Sequence, residues 1–217
     1  MKRREFLGGL LGASVGSATP ASISFTSQSI GEESVQATAA AERRRSRFLN
    51  VVLRTHENKE VRFYDDLIKD KTVLINFMYT VCKDDCLLTT ANLVQVQKLL
   101  GKRVGRDIFI YSITLDPQHD TPPVLKRYAK AFGVKPGWLF LTGKKADIAG
   151  LRRNLGDDPA LDIRRSQHIG VIRFGIEPLE RWTGCPAWTK PKTIVRYISW
   201  IEPNGERPRG ARRERRV

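Results

Sequence analysis

Two cysteines separated by three residues are the feature of this sequence with the clearest chemical potential. Cys82 and Cys86 enclose the spacer Lys-Asp-Asp, which is too polar to bury easily, and this favours a functional pair over two buried apolar thiols. If the segment is helical, the two residues lie one turn apart on the same face, with their Cα atoms about 6 Å apart, within the range of a disulfide. The pair is therefore expected to form a redox-active disulfide or to bind a metal ion.

A soft metal ion suits such a pair. Two thiolates and one neutral imidazole make a three-coordinate site that fits Cu(I) better than Zn(II), which prefers four tetrahedral ligands. His168 is a candidate third ligand because an apolar strand pattern begins directly after it, at Ile169. A single histidine is more often an ordinary surface or core residue, so the pattern alone leaves both interpretations open. His56 and His119 are weaker candidates because they lie in polar turns.

The charges around the thiols are mixed. The N-terminus of a helix lowers the pKa of a thiol because its free N–H groups and its dipole favour the thiolate. Asp84 and Asp85 oppose this effect by adding negative charge, and they favour the binding of a cation instead.

The elements that must position these residues are predicted from hydrophobic periodicity. The predicted strands cover residues 72–79, 107–115, 138–142, 169–174 and 179–182, and the predicted helices cover residues 86–100, 121–133, 144–155 and 192–200. A short hairpin at residues 51–64 precedes them. Alternating strands and helices indicate an α/β fold in which a central sheet is covered on both faces. The cysteines then lie at the carboxyl end of the first central strand, where open α/β sheets place their chemistry.

The first 39 residues are expected to be an export signal. Residues 2–7 read Lys-Arg-Arg-Glu-Phe-Leu and precede a modestly apolar, glycine-rich stretch, which resembles a twin-arginine signal. Small residues at Ala37-Thr38-Ala39 suit cleavage, and an uncleaved tether is the alternative. We therefore expect a periplasmic protein, or one on the outer face of the cytoplasmic membrane.

Charge and composition complete the predicted organisation. We expect the signal over residues 1–39, a basic linker over 40–47, one folded domain over 48–203 and a basic disordered tail over 204–217. The chain has 38 Lys and Arg against 23 Asp and Glu, a net charge of +15, which suits an anionic membrane surface or an acidic protein. No nucleic-acid-binding motif accompanies this charge, so nucleic acid is not an expected partner.

Several motifs together resemble the Sco/SenC family over approximately residues 51–201. The segments that carry the resemblance are Phe63-Tyr-Asp-Asp-Leu67, Asn76-Phe-Met-Tyr-Thr-Val-Cys82 with Cys86, Leu115-Asp-Pro-Gln-His-Asp-Thr-Pro122 and Trp138-Leu-Phe-Leu-Thr-Gly143. The resemblance implies a thioredoxin-like fold with a central mixed sheet flanked by helices. It also implies a copper chaperone that delivers Cu(I) or Cu(II) to the Cu(A) site of a cytochrome c oxidase subunit, or to another copper acceptor, during oxidase assembly.

The family's ligand pattern carries over onto Cys82, Cys86 and His168. Asp116 falls in the family's Asp-Pro motif, where it is expected to fix the adjacent loop. The family usually has Pro after each cysteine and Asp before the histidine, and Lys83, Leu87 and Gln167 occupy those places here. The change to Gln removes an expected hydrogen-bond partner of the imidazole, which bears on the strength of metal binding more than on the fold.

Two enzymatic alternatives compete with the chaperone. A thiol-disulfide oxidoreductase that keeps acceptor cysteines reduced needs the Cys82 and Cys86 redox pair but not the histidine. A peroxiredoxin-like peroxidase is disfavoured because its Pro-x-x-x-Thr-x-x-Cys approach is missing before Cys82. Cys185, in Gly-Cys-Pro, is read as an incidental thiol, with a resolving thiol as the alternative.

Overall fold

The computed structural model describes residues 27–81, 85–157 and 170–205. Residues 1–26 of the expected signal, Cys82, His168 and residues 206–217 of the basic tail lie outside the described residues. Cys86 is described by its backbone only. The chain divides into two units, Met1–Ala39 and Ala40–Val217, and helix α1 covers Ser27–Ser46.

A seven-stranded mixed sheet forms the centre of the second unit, with the strand order β2-β1-β5-β4-β3-β6-β7. Its strands are β1 (Val52–Thr55), β2 (Glu60–Arg62), β3 (Thr72–Met78), β4 (Ile108–Thr114), β5 (Trp138–Gly143), β6 (Val171–Ile176) and β7 (Arg181–Pro186). Strands β3, β4 and β5 are parallel to one another, and the other pairings are antiparallel. The predicted α/β fold with a central mixed sheet is confirmed.

Both faces of the sheet are buried because its central strands are apolar on both sides. In β3, Leu74 and Met78 belong to one core cluster, whereas Val73 and Ile75 belong to the other. The flanking helices are α2 (Asp85–Leu100), α3 (Pro122–Ala131), α4 (Lys145–Asn154) and α5 (Pro191–Ile201). Helices α2, α3 and α5 contribute to the first cluster, and α4 contributes to the second.

The final hairpin is longer than the sequence pattern predicts. A 3-10 turn, Glu177–Leu179, follows β6, and β7 then runs from Arg181 through Cys185 instead of ending near Trp182. Glu180 adopts a left-handed conformation with φ of 50°, which reverses the chain between the two strands. The extra length pairs Cys185 with Ile172 across the hairpin.

A buried carboxylate connects the last turn of α1 to the sheet. Glu177 is 1% exposed and accepts hydrogen bonds from Arg44 Nε at 3.1 Å, the Tyr64 hydroxyl at 2.9 Å and the Asp70 amide at 3.0 Å. Glu177 follows Ile176, which pairs with Thr72 at the start of β3. Arg44, in the last turn of α1, therefore contacts the end of the sheet opposite the carboxyl end of β3.

The described helices are too short or too polar to cross a membrane.

Candidate metal centre

The sheet topology brings the flanks of Cys82 and His168 to the same end of the sheet. Strands β3 and β6 are antiparallel, with Asn76 opposite Ile172, so the carboxyl end of β3 adjoins the amino end of β6. Cys82 is four residues beyond the end of β3, and His168 is three residues before the start of β6. The short connections limit how far either residue can be from this shared edge.

A close approach between Gly170 and α2 links the histidine flank to the cysteine flank directly. A Cβ added to Gly170 would lie 3.6 Å from Thr89 Oγ1 and 3.0 Å from the Ala187 side chain. Thr89 is three residues after Cys86 on α2, and Gly170 is two residues after His168. The backbone that leads to the predicted imidazole ligand therefore passes beside the first turns of the helix that carries the second cysteine.

The buried carboxylate of Asp120 holds the segment that leads to Cys82. Its side chain is 0% exposed and accepts hydrogen bonds from the Thr80 amide at 3.0 Å, the Thr80 hydroxyl and the Thr114 hydroxyl at 2.6 Å. Thr114 ends β4 and lies opposite Met78 in the parallel register. Asp120 thus ties the chain two residues before Cys82 to the end of the neighbouring strand.

His119 completes this polar cluster at the surface. Its ring Nδ1 lies 2.9 Å from Asp120 Oδ1 and 3.5 Å from Thr80 Oγ1, and its side chain is 51% exposed. The turn that carries it is fixed by backbone hydrogen bonds, since the amides of His119 and Asp120 both donate to the Asp116 carbonyl. The imidazole is therefore oriented from two sides while remaining accessible to solvent.

The start of α2 gives Cys86 a defined electrostatic position. Cys86 is the second residue of this 16-residue helix, where free N–H groups and the helix dipole favour a negatively charged side chain. The predicted location of Cys86 at the start of a helix is confirmed, and its thiolate character stays a prediction, with Asp84 and Asp85 expected to oppose the effect of the helix N-terminus.

Asp116 and Asp120 both take part in fixing this loop. The Asp116 carbonyl does hold the turn, but the carboxylate that binds Thr80 belongs to Asp120. Sequence reasoning missed Asp120, although a carboxylate one residue before a Thr-Pro helix start was a visible signal. His119 was judged a weak candidate because its turn is polar, and that judgement did not anticipate the carboxylate beside the ring.

The predicted ligands Cys82 and His168 lie outside the described residues, so the assignment of Cys82, Cys86 and His168 as a ligand set stays a prediction. Within residues 27–81, 85–157 and 170–205, no group of three or more His, Cys, Asp or Glu residues is arranged to hold a metal ion.

Cys185 is a buried thiol near the end of β7, opposite Ile172 of β6. It is 5% exposed and forms no disulfide. Burial raises the pKa of the Cys185 thiol, and a hydrogen bond with Thr189 opposes this only partly. The thiol is therefore protonated at neutral pH, which does not suit a metal ligand or a resolving nucleophile.

Comparison with known proteins identifies a family domain in this chain. Residues 52–156 match the family model described as SCO1/SenC. A SCO2-like protein of Rickettsia felis is 37% identical over 95 residues, which are 44% of this chain and 44% of that protein. The match thus spans less than half the length of this curated relative.

Solved structures share the fold over most of their length. A SCO1/SenC family lipoprotein from Bacillus anthracis superposes with a TM-score of 0.58 and 21% identity, covering 71% of this chain and 94% of that one. BsSco is described with a disulfide switch and as a member of the Sco family of cytochrome c oxidase assembly proteins. It superposes with a TM-score of 0.56 and 22% identity, covering 68% of this chain and 88% of that one. Bradyrhizobium japonicum ScoI with copper bound superposes with a TM-score of 0.55 and 24% identity, covering 70% of this chain and 96% of that one.

These three similarities, at identities below 25%, confirm the predicted thioredoxin-like fold. The family-model match over residues 52–156 and the similarity to the Rickettsia relative support the predicted resemblance to the SCO1/SenC family.

Proposed function

We propose that this protein binds copper through Cys82, Cys86 and His168 and delivers it to the Cu(A) site of cytochrome c oxidase during assembly of that enzyme. Two thiolates and an imidazole form a donor set that suits copper. Copper is the cargo in this proposal, so the ligands must hold it and also release it by exchange with the ligands of an acceptor.

The approach of Gly170 to Thr89 is the observation that carries the proposal. Two of the three predicted ligands lie close in sequence to this contact. Cys86 is three residues before Thr89, and His168 is two residues before Gly170. The third predicted ligand, Cys82, is two residues after Thr80, whose amide is bound by Asp120. Residues far apart in sequence are thus attached to one edge of the sheet by contacts among described residues.

An exposed apolar surface beside α2 supports a protein partner. Leu88 is 70% exposed and Trp188 is 72% exposed. Asn92, one helical turn after Leu88, donates hydrogen bonds to the carbonyls of Ala187 and Thr189 at 2.9 and 2.7 Å. These bonds hold the loop of Trp188 against the face of α2 that carries Leu88, and exposed apolar groups of this kind mark binding surfaces.

The charges near this surface favour an acidic acceptor. Lys190 and Lys192 are exposed and follow Trp188 closely in sequence. We expect an acceptor domain with a complementary negative face, such as an oxidase subunit that carries a Cu(A) site, to be guided by them.

We place the protein outside the cytoplasmic membrane, with residues 1–39 as its twin-arginine export signal and the basic C-terminal tail as a contact for anionic lipid. Deleting residues 206–217 should weaken binding to anionic vesicles, measured by co-sedimentation, while leaving copper binding unchanged. Equal vesicle binding after the deletion would rule out the lipid role of this tail.

Competitive titration with Cu(I) tests the copper assignment. The reduced full-length protein should bind one copper ion in competition with a high-affinity chelator. Cys82→Ser, Cys86→Ser and His168→Ala should each lose this tight binding. Cys185→Ser and His56→Ala are the matched controls and should bind as the wild type does. Loss of binding in the controls, or retention in the Cys82 and Cys86 variants, would show that the ligand assignment is wrong.

Thiol-disulfide oxidoreduction is the second candidate function. The position of Cys86 in the first turn of α2 favours a nucleophilic thiolate, and BsSco is described with a disulfide switch. In this reaction the Cys82–Cys86 dithiol would become a disulfide while an acceptor disulfide gains two electrons and two protons. His168→Ala should abolish tight copper binding and leave the reduction of an acceptor disulfide intact if this second function operates.

A further inference from the structure

We propose that the folded domain carries its own docking surface for anionic lipid, at the end of the sheet opposite the carboxyl end of β3. This surface, the basic end, consists of residues 43–47, 69–71, 101–107, 135–137 and 177–181. The inference rests on the proposed location outside the cytoplasmic membrane, and it concerns other residues than the C-terminal tail. It does not depend on copper binding.

The sheet topology gathers these segments along one edge. Strands β3, β4 and β5 are parallel, with Thr72 opposite Ile108 and Ile110 opposite Trp138, so the loops that precede these strands lie side by side. The turn after β6 lies at the same edge because Ile176 pairs with Thr72. Neighbouring strands are about 4.8 Å apart, so the loops at β5, β4, β3 and β6 form a row about 15 Å long.

Exposed basic side chains occupy this row. Lys69 precedes β3, Lys102 and Arg106 precede β4, and Lys135 precedes β5, and all four residues are exposed. Neither Lys69 nor Lys102 forms an ion pair within the described part of the chain. The parallel topology therefore concentrates positive charge from three separate loops at one end of the domain.

The carboxylates of the basic end do not cancel this charge. Asp70 is exposed, but it lies between Lys69 and Lys71. The other carboxylates here are engaged by arginines, in the pairs Glu177 with Arg44, Glu180 with Arg43, Glu202 with Arg103 and Asp107 with Arg106. The lysines of the row are thus left as excess positive charge, which attracts an anionic surface.

An apolar tip beside the row favours lipid over an acidic protein. The turn between β6 and β7 exposes Pro178, and Leu179 is 40% exposed. Leu179 lines a surface depression together with the partly exposed Trp200. Exposed apolar and tryptophan side chains next to basic residues suit the headgroup region of a membrane, where the apolar groups enter the boundary and the cations contact phosphates.

The C-terminal tail leaves the domain at this same end. Helix α5 ends here, since Arg181 donates hydrogen bonds to the carbonyls of Ile201 and Glu202 at 3.0 and 2.9 Å. Gly205 lines the same depression as Thr72 and Leu179. The tail that we assign to anionic lipid therefore starts beside the basic end, and both can contact one membrane together.

This docking mode orients the domain. Strand β3 has seven residues and spans about 20 Å. Its carboxyl end, where the copper ligands are predicted, is then about 20 Å from the lipid and faces an acceptor.

Co-sedimentation of the full-length protein with lipid vesicles tests the inference. The wild type should bind vesicles of equal parts phosphatidylcholine and phosphatidylglycerol, but not vesicles of phosphatidylcholine alone. Lys69→Gln/Lys102→Gln should weaken this binding about 25-fold, because each basic residue near an anionic surface contributes about fivefold. Lys144→Gln/Lys145→Gln is the matched control, since these exposed lysines follow the carboxyl end of β5 and their loss removes the same charge.

Amide hydrogen exchange maps the contact without any substitution. Anionic vesicles should slow exchange in peptides that cover residues 101–107 and 177–181. Slower exchange at residues 143–146 instead would place the lipid contact at the wrong end of the sheet and refute the inference.

The remaining outcomes separate this surface from the tail and from copper. Equal weakening in both double variants would show that net charge governs binding, and loss only on deleting residues 206–217 would confine the contact to the tail; either result refutes the inference. No binding to anionic vesicles would refute a lipid partner and leave an acidic protein as the partner of the basic end. The Cu(I) affinity of Lys69→Gln/Lys102→Gln should equal that of the wild type, so failure of the ligand assignment leaves this test intact.

Discussion

Removing the Asp120 carboxylate should destabilise the fold and loosen the segment that leads to Cys82. In Asp120→Ala, the Thr114 hydroxyl and the Thr80 amide lose their acceptor. A buried donor left without a partner costs about 1–3 kcal/mol. Thr114 is fully buried and Thr80 is half-buried, so about 2 kcal/mol for the first and about 1 kcal/mol for the second give a loss of about 3 kcal/mol in the free energy of unfolding.

The isosteric change Asp120→Asn should have a smaller effect. Its amide oxygen can still accept from the Thr80 amide and the Thr114 hydroxyl if it takes the place of Oδ2. The amide nitrogen then replaces Oδ1, so the Thr80 hydroxyl must accept instead of donate, and the strengthening of these bonds by the negative charge is lost. Charged hydrogen bonds exceed neutral ones by about 1 kcal/mol, and part of this is recovered because a charge no longer has to be buried. We therefore expect a loss of about 1 kcal/mol, between the Ala variant and the wild type.

Urea unfolding followed by tryptophan fluorescence measures these differences, since the chain has four tryptophans. Asp107→Asn is the matched control, because Asp107 is an exposed carboxylate paired with Arg106 and surface ion pairs contribute little. The expected order of stability is wild type equal to the control, then Asn, then Ala. An Asp120→Ala protein with the midpoint and slope of the wild type would show that the carboxylate does not hold this edge of the sheet.

Three further predictions concern other parts of the domain. Burial lowers the pKa of His56 below its ordinary value of 6.5, so below pH 6.5 the unfolded chain binds a proton more readily than the folded protein does. The free energy of unfolding should therefore fall as the pH drops from 6.5 toward the pKa of the folded state. The difference between the urea midpoints at pH 7.5 and pH 5.5 should be smaller in His56→Gln than in the wild type. Arg44→Ala removes the cation that pairs with the buried Glu177 carboxylate and should lower the free energy of unfolding by about 1–2 kcal/mol. Arg43→Ala is the control in the same denaturation series, because Arg43 belongs to a more exposed ion pair. Trp188→Ala should slow copper transfer to an acceptor domain by about tenfold, because truncation of an exposed aromatic anchor costs about 1.4 kcal/mol or more in binding; unchanged transfer kinetics would exclude Trp188 from the docking surface, and Cu(I) affinity should be the same in both proteins.

Local pattern was sufficient for most of the secondary structure. The apolar run predicted as a strand over residues 72–79 is β3, Thr72–Met78, and the Thr-Pro signal at residue 121 marks the start of α3 at Pro122. These features follow from hydrophobic period and from backbone chemistry at helix ends, both of which depend on residues near in sequence. The extent of the last hairpin was predicted less well, because its turn requires the left-handed conformation of Glu180. Glutamate rarely adopts this conformation, so the residue type gives no sign of it.

The sequence by itself determined the fold class and predicted the chemical character of the site. Two cysteines around a polar spacer, at the end of an apolar strand, are sufficient to predict a thiol or copper centre, because residue type and spacing alone decide which donors are available. The α/β fold followed from alternating periodicities, and the motif resemblance from short segments distributed along the chain.

Only the tertiary structure decided which residues support that site. Asp116 and Asp120 look alike in the sequence, but Asp120 alone has its carboxylate at the Thr80 amide, across a separation of 40 residues. The His119 ring likewise contacts Thr80, which is distant in sequence, and the buried carboxylate of Asp120. The contact of Gly170 with α2 likewise depends on the antiparallel pairing of β6 with β3. Such pairings are chosen by the packing of the whole sheet, and a local pattern carries no information about which distant partner a side chain will meet.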